Sequence, residues 1–123
     1  MSVRSPESQD YERLAYIRIA VLPGRGYTRS MIRAFAGRDA ETLFHGRFVR
    51  KLPRDIQRAA QRKLRQIHQA EVLTDLAASP GNRLEALRGD RAGQHSIRIN
   101  DQWRICFVWR DGGAEQVEIV DYH

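Results

Sequence analysis

Cysteine is almost missing from this 123-residue chain. Cys106 stands alone, so no internal disulfide can staple the fold, and its place in an apolar strand pattern reads as a small buried hydrophobe. Long apolar runs are missing as well. The stretch from Tyr16 to Pro23 is short and interrupted by Arg18, well under the roughly eighteen residues that a membrane-spanning helix needs. No basic lead followed by an uninterrupted apolar core opens the sequence, so secretion is not expected and a cytoplasmic setting is the simplest expectation. No Cys or His pair stands at metal-ligand spacing and the acidic residues are dispersed, which disfavours a two-metal nuclease. Pro23-Gly24-Arg25-Gly26 lacks the Lys-Ser/Thr that would complete a phosphate-binding loop. Neither a metal nor another cofactor is expected, and no internal repeat is visible.

Positive charge is what the chain has in excess. There are 21 Lys plus Arg against 15 Asp plus Glu, a net charge of +6 and a pI near 10.2, which favours an acidic partner, either nucleic acid or an acidic protein segment. The excess concentrates between Arg47 and Arg65, where eight Lys or Arg face one acid, Asp55. At this length one thin core is feasible. Residues 1–30 differ in character from the rest: a polar start, a possible short strand from Tyr16 to Leu22, then a turn or linker at Pro23-Gly24-Arg25-Gly26. They read as an extension of uncertain order ahead of a domain spanning residues 31–123.

From Met31 the pattern resolves into elements. Met31 to Ala36 alternates and suits a first strand. Asp39 suits an N-cap for a short helix over Ala40 to His45, ended by Gly46. Pro53 fits the first turn of a longer helix to Gln69, with Ile56, Ala60, Leu64 and Ile67 on one side and Arg54, Arg58, Arg62 and Arg65 on the other. A shorter helix is expected from Glu71 to Ala78, closed by Pro80-Gly81. Three strands follow, over Gln94 to Ile99, Trp103 to Trp109 and Gln116 to Tyr122, joined by hairpins at Asn100-Asp101 and Asp111-Gly112-Gly113. The two tryptophans share a strand face with Ile105 and Phe107 and read as core anchors. The sum is an α+β fold, an antiparallel sheet with helices packed on one face and an open, concave opposite face.

Arg104 breaks the pattern, because a charged side chain in mid-strand between apolar neighbours needs an unusual reason to be there. A guanidinium offers paired donors matched to phosphate oxygens, while a cross-strand ion pair with Glu118 or Asp121 is the plain alternative. The run Gly81-Asn82-Arg83-Leu84-Glu85-Ala86-Leu87-Arg88-Gly89-Asp90-Arg91, the hairpin Gln94 to Phe107 and the terminal Asp121-Tyr122-His123, together with Met31-Ile32-Arg33-Ala34-Phe35, closely resemble the HigB branch of the RelE-like toxins. The resemblance covers residues 31–123.

This resemblance implies the toxin of a type II toxin–antitoxin pair, a ribosome-dependent endoribonuclease that cuts mRNA without metal. Such a cut uses the RNA's own 2′-hydroxyl to attack the adjacent phosphorus, with a base, cations and an acid supplied by the protein. It implies catalytic roles for Arg104, Arg88, Asp121 and His123, with Tyr122 supporting. Glu85 stands where one branch of the family has a histidine, and it serves either as base or to orient Arg88. His123 has an imidazole able to give or take a proton at physiological pH, and Asp121 is placed to orient it or Arg104. Arg83 and Arg91 are expected on flanking phosphates. The ridge Arg54, Arg58, Arg62 and Arg65 is expected to lie beside the cutting surface and to dock on ribosomal RNA. The implied partners are mRNA on the ribosome and a HigA-like helix-turn-helix antitoxin, with no membrane. Two other readings stay open: a gyrase poison like the ParE toxins, which share the fold, and a non-catalytic RNA-binding module.

Overall fold

Two hairpins organise the chain. Asp111 (φ 52°) and Gly112 (φ 76°) both adopt the left-handed conformation that a two-residue turn demands, and they join Trp103–Arg110 (β3) to Gly113–Asp121 (β4). The other expected hairpin forms differently. Neither Asn100 nor Asp101 is left-handed; the Asn100 side chain closes the turn instead, its Oδ1 accepting the Gln102 and Trp103 backbone N–H groups at 2.9 and 2.8 Å. This turn joins His95–Arg98 (β2) to β3. A two-residue strand, Glu85–Ala86 (β1), pairs with β2, where only a loop was expected. The four strands form an antiparallel sheet in the order β1-β2-β3-β4. The structure, a computed structural model, describes residues 31–122; residues 1–30, with the expected strand Tyr16 to Leu22, and His123 lie outside the described residues.

The helices follow the apolar pattern with shifted ends. Arg38–Phe44 (α1) begins two residues earlier than expected, because Gly37 takes a φ of 110° and turns the chain into the helix, leaving Asp39 inside the first turn. Arg54–Gln69 (α2) buries Ala60, Leu64 and Ile67 in one core with Ile97, Ile105, Phe107 and Val117. Trp103 and Trp109 pack against that core, as the alternation of β3 requires. Between the helices, Gln57 is buried yet satisfied, accepting from Val49 N–H at 3.0 Å and donating to the Val49 and Leu52 carbonyls at 2.7 and 3.0 Å. The helix expected over Glu71 to Ala78 is a 3-10 helix, Leu73–Ala78, preceded by a tight turn in which the Asp75 carboxylate accepts the Glu71 and Val72 N–H groups.

Residues 31–36 do not form a regular strand. They run parallel to β4 through two isolated bridges, Ile32 with Ala114 and Phe35 with Val117. A bulge in β4 explains the three-residue spacing: Gln116 adopts φ 53°, two residues of β4 oppose Phe107, and Ala114 and Val117 both turn into the core. The backbone approaches Gly113 so closely that a Cβ there would stand 2.8 Å from the Met31 carbonyl oxygen. Arg33 closes this edge, donating to the Arg110 and Asp111 carbonyls at 2.6 Å each.

Candidate active site

Strand alternation sends Ile97, Ile105 and Phe107 toward the helices and Ser96, Arg98, Arg104 and Cys106 to the opposite face. Arg104 keeps 9% of its surface exposed. Its Nε donates to Ser96 Oγ at 2.7 Å, and Nη2 donates to the Arg83 carbonyl at 2.7 Å and the Ser96 carbonyl at 3.4 Å. Glu85 supplies a carboxylate 3.7 Å from Nη2, and the Tyr122 ring centroid lies 5.7 Å from the guanidinium carbon. Nη1 takes no partner among the described residues. The side chain is thus gripped along one edge, and among the described residues its other edge is uncommitted and suited to an anion.

The cradle depends on a strained turn. Pro80–Asn82 forms a 3-10 turn capped by Arg83, whose φ of 46° and ψ of 57° are costly for a residue with a side chain. Asn82, with no exposed surface, pins that turn: its amide nitrogen donates to Gln66 Oε1 and the Leu76 carbonyl at 2.9 Å each, and its oxygen accepts from Lys63. Burial and the neighbouring charges of Arg62 and Arg98 hold the Lys63 pKa below its ordinary value. The left-handed Arg83 then offers its carbonyl to Arg104, while its own side chain stays exposed.

The plain alternative for Arg104 names the wrong acids. Glu118 pairs with Arg91 at 3.3 Å, Asp121 accepts from Gln102 Nε2 at 3.1 Å, and Glu85 is the carboxylate that meets Arg104. Glu85 forms no ion pair with Arg88, an exposed side chain without a hydrogen bond or ion pair among the described residues. Arg91 donates from Nη1 to Gln94 and Glu118. Asp121 is the register partner of Trp103, which places it on the helix-side face, whereas Val120 is the partner of Arg104. Between Asp121 and Tyr122, the described members of the terminal tripeptide, Tyr122 is the one whose side chain packs against Arg104. His123 lies outside the described residues.

The basic ridge is also displaced from its expected position. Arg54, Arg58, Arg62 and Arg65 are exposed on the side of α2 that faces away from the sheet, so the core separates most of the ridge from Arg104. The Arg54 guanidinium sits over the exposed Phe48 ring at 5.1 Å. This side of α2 approaches the cradle at Lys63 and Gln66, both of which reach Asn82. Ser96, Asn82 and Arg98 were not singled out from sequence. The usable signal for Ser96 and Arg98 was their phase, opposite to Ile97 and Ile99 and shared with Arg104 across a short turn.

On the face away from the helices, Ser96 and Cys106 have no exposed surface, and around them the exposed Glu85 and Arg83 and the half-exposed Arg91 and Arg98 form a charged rim. Burial raises the Cys106 pKa. Among the described residues no group of three or more His, Cys, Asp or Glu is placed to hold a metal ion, and no helix is long and apolar enough to cross a membrane.

A small α+β protein with a guanidinium cradled on the face of an antiparallel meander opposite its helices is the class that these features define. The chain belongs to the family of RelE-like toxins of the type II toxin–antitoxin system HigB, which matches residues 35–123. It is 45% identical over 65 residues to the protein named Toxin HigB-1 of Vibrio cholerae serotype O1, covering 53% of this chain and 68% of that one. It is 32% identical over 94 residues to Endoribonuclease HigB of Proteus vulgaris, covering 76% of this chain and all of that one. A type II toxin is one member of a pair, so an antitoxin is its partner.

Proposed function

We propose that this toxin is an endoribonuclease that cuts mRNA on the ribosome in the cytoplasm, through residues 31–123, and that a HigA-like helix-turn-helix antitoxin neutralises it. The observation that supports this reading most strongly is Arg104, buried in mid-sheet with its Nη1 edge uncommitted among the described residues. The hydrogen bonds of this buried cation go to neutral carbonyl and hydroxyl oxygens, and its one carboxylate among the described residues, Glu85 at 3.7 Å, is solvent-exposed and screened, so much of its charge is left for a phosphate of the transition state, which fits it in shape and sign.

In this mechanism the RNA's 2′-oxygen attacks the adjacent phosphorus and loses its proton to Glu85, which stands exposed on the same face as Arg104. The bond from phosphorus to the 5′-oxygen breaks, and that oxygen takes a proton from His123. The products are a 2′,3′-cyclic phosphate and a 5′-hydroxyl. Arg104 stabilises the charge on the non-bridging oxygens, Arg88 adds a second cation from its loop, and Tyr122 packs against Arg104. Asp121 acts through His123, two residues further along the chain. Arg83 and Arg91 meet flanking phosphates, and the ridge Arg54, Arg58, Arg62 and Arg65 contacts ribosomal RNA.

Mapping mRNA 5′ ends in cells that express wild type or Arg104→Ala tests the reading. New ends within translated regions, in codon phase and absent from the variant, are the expected result. Growth arrest without such ends would transfer the protein to the gyrase-poison reading.

A further inference from the structure

Ser96 has no exposed surface, and its hydroxyl accepts the Arg104 Nε–H at 2.7 Å. A buried strand position ordinarily favours an apolar, β-branched side chain, and a buried hydroxyl is costly unless it is bonded. The bond Ser96 makes is the one nearest the arginine stem. That position matters: an arginine has several freely rotating torsions, and the Glu85 carboxylate at 3.7 Å attracts the charge without fixing the plane of the group. The Arg83 carbonyl at 2.7 Å holds Nη2, one corner of the plane. A second anchor at Nε, on the same edge, leaves the guanidinium no rotation about the first. With Nε and Nη2 both held, Nη1 is the donor that faces away from the cradle.

We propose that Ser96 is a positioning residue for RNA cleavage: its hydroxyl fixes the guanidinium plane of Arg104 so that the Nη1 edge is presented to the scissile phosphate. This rests on the nuclease reading above. Ser96 touches no substrate; it acts through Arg104 alone. The consequence is specific, since a misplaced transition-state cation lowers the rate of the chemical step without weakening the initial docking of RNA.

Single-turnover cleavage of ribosome-bound mRNA by the full chain, released from its antitoxin, tests this in a double-mutant cycle. Ser96→Ala should lower the maximal rate about ten- to a hundredfold and leave the half-saturating ribosome concentration unchanged. In an Arg104→Ala background the same substitution should remove nothing further. A Ser96→Ala protein that cuts at the wild-type rate would overturn the proposal, as would a second, multiplicative loss in the Arg104→Ala background. An independent measurement needs no Ser96 variant: the Arg104 Nε–H of the wild-type protein, followed by nitrogen-15 NMR, should exchange slowly with solvent, and free exchange would overturn the bond on which the proposal stands. Wild-type protein that cuts no RNA would overturn the nuclease reading itself, an outcome distinct from normal cutting by Ser96→Ala.

Discussion

Arg98 and Arg104 are direct cross-strand partners on β2 and β3, so two guanidinium groups rise from one face of the sheet. Like charges placed opposite each other destabilise a sheet. Each arginine finds a carboxylate, Asp101 for Arg98 and Glu85 for Arg104, but both acids are more than half exposed and screened by water. The face is therefore left with unspent positive charge, and an RNA phosphate would relieve it.

Arg98→Gln separates this cost from its use. The melting temperature of the variant should equal or exceed that of wild type, because one of two opposed charges is gone. RNA binding should weaken, and its dependence on salt should become shallower by about one ion. Titrations over a range of potassium chloride concentrations check both; a lower melting temperature with unchanged binding would make Arg98 structural.

Glu85→Gln preserves the side chain's shape and removes its basicity. If this carboxylate takes the 2′-hydroxyl proton, the single-turnover rate should fall by about 10²- to 10⁴-fold. A loss smaller than tenfold would reduce Glu85 to a counter-ion for Arg104.

What the sequence exposed and what it hid differ for physical reasons. Arg104 was conspicuous because charge in the middle of an apolar strand violates a local rule, and the hairpin at Asp111-Gly112 was legible because its conformation is dictated by two adjacent residues. Ser96, Asn82 and the Arg83 carbonyl work through contacts that the folded chain makes between separate elements, and a backbone carbonyl has no signature in sequence at all. β1 is too short to show alternation. The basic ridge was visible as a stripe on α2, but a stripe does not reveal on which side of the sheet its helix packs.

Gly113→Ala probes the parallel edge. A Cβ would meet the Met31 carbonyl oxygen at 2.8 Å and Arg33 Cζ at 2.7 Å, and the backbone oxygen cannot swing aside as a flexible side chain can. The expected cost is about 1–3 kcal/mol, the usual range for overpacking. Hydrogen exchange locates it: the Ala114 amide, bonded to the Met31 carbonyl at 2.9 Å, should lose protection while the β2–β3 amides keep theirs.

Cys106 should resist alkylation in the folded protein. Burial is the largest cause of its raised pKa, followed by opposing effects of Arg91 and Glu118, so less thiolate is present than in a free thiol at the same pH. The sign for stability follows. A proton held more tightly in the folded state gives stabilisation that is complete below the ordinary thiol range and is lost as pH rises through the folded value. Iodoacetamide labelling should be slow at neutral pH and accelerate on unfolding, and Cys106→Ala should flatten the decline of stability in alkali.

The ridge on α2 faces away from Arg104, and this separation predicts how its loss should appear. Replacing Arg54, Arg58, Arg62 and Arg65 by glutamine removes four exposed charges that form no ion pair among the described residues. If they contact ribosomal RNA, the half-saturating ribosome concentration should rise and its salt dependence should weaken, each lost phosphate contact lowering the slope by about 0.7 to 0.9. The maximal single-turnover rate should stay near that of wild type, because the core lies between these side chains and the cradle. A fall in maximal rate at saturating ribosomes would mean that the ridge orients the bound toxin for cutting instead of merely attracting it.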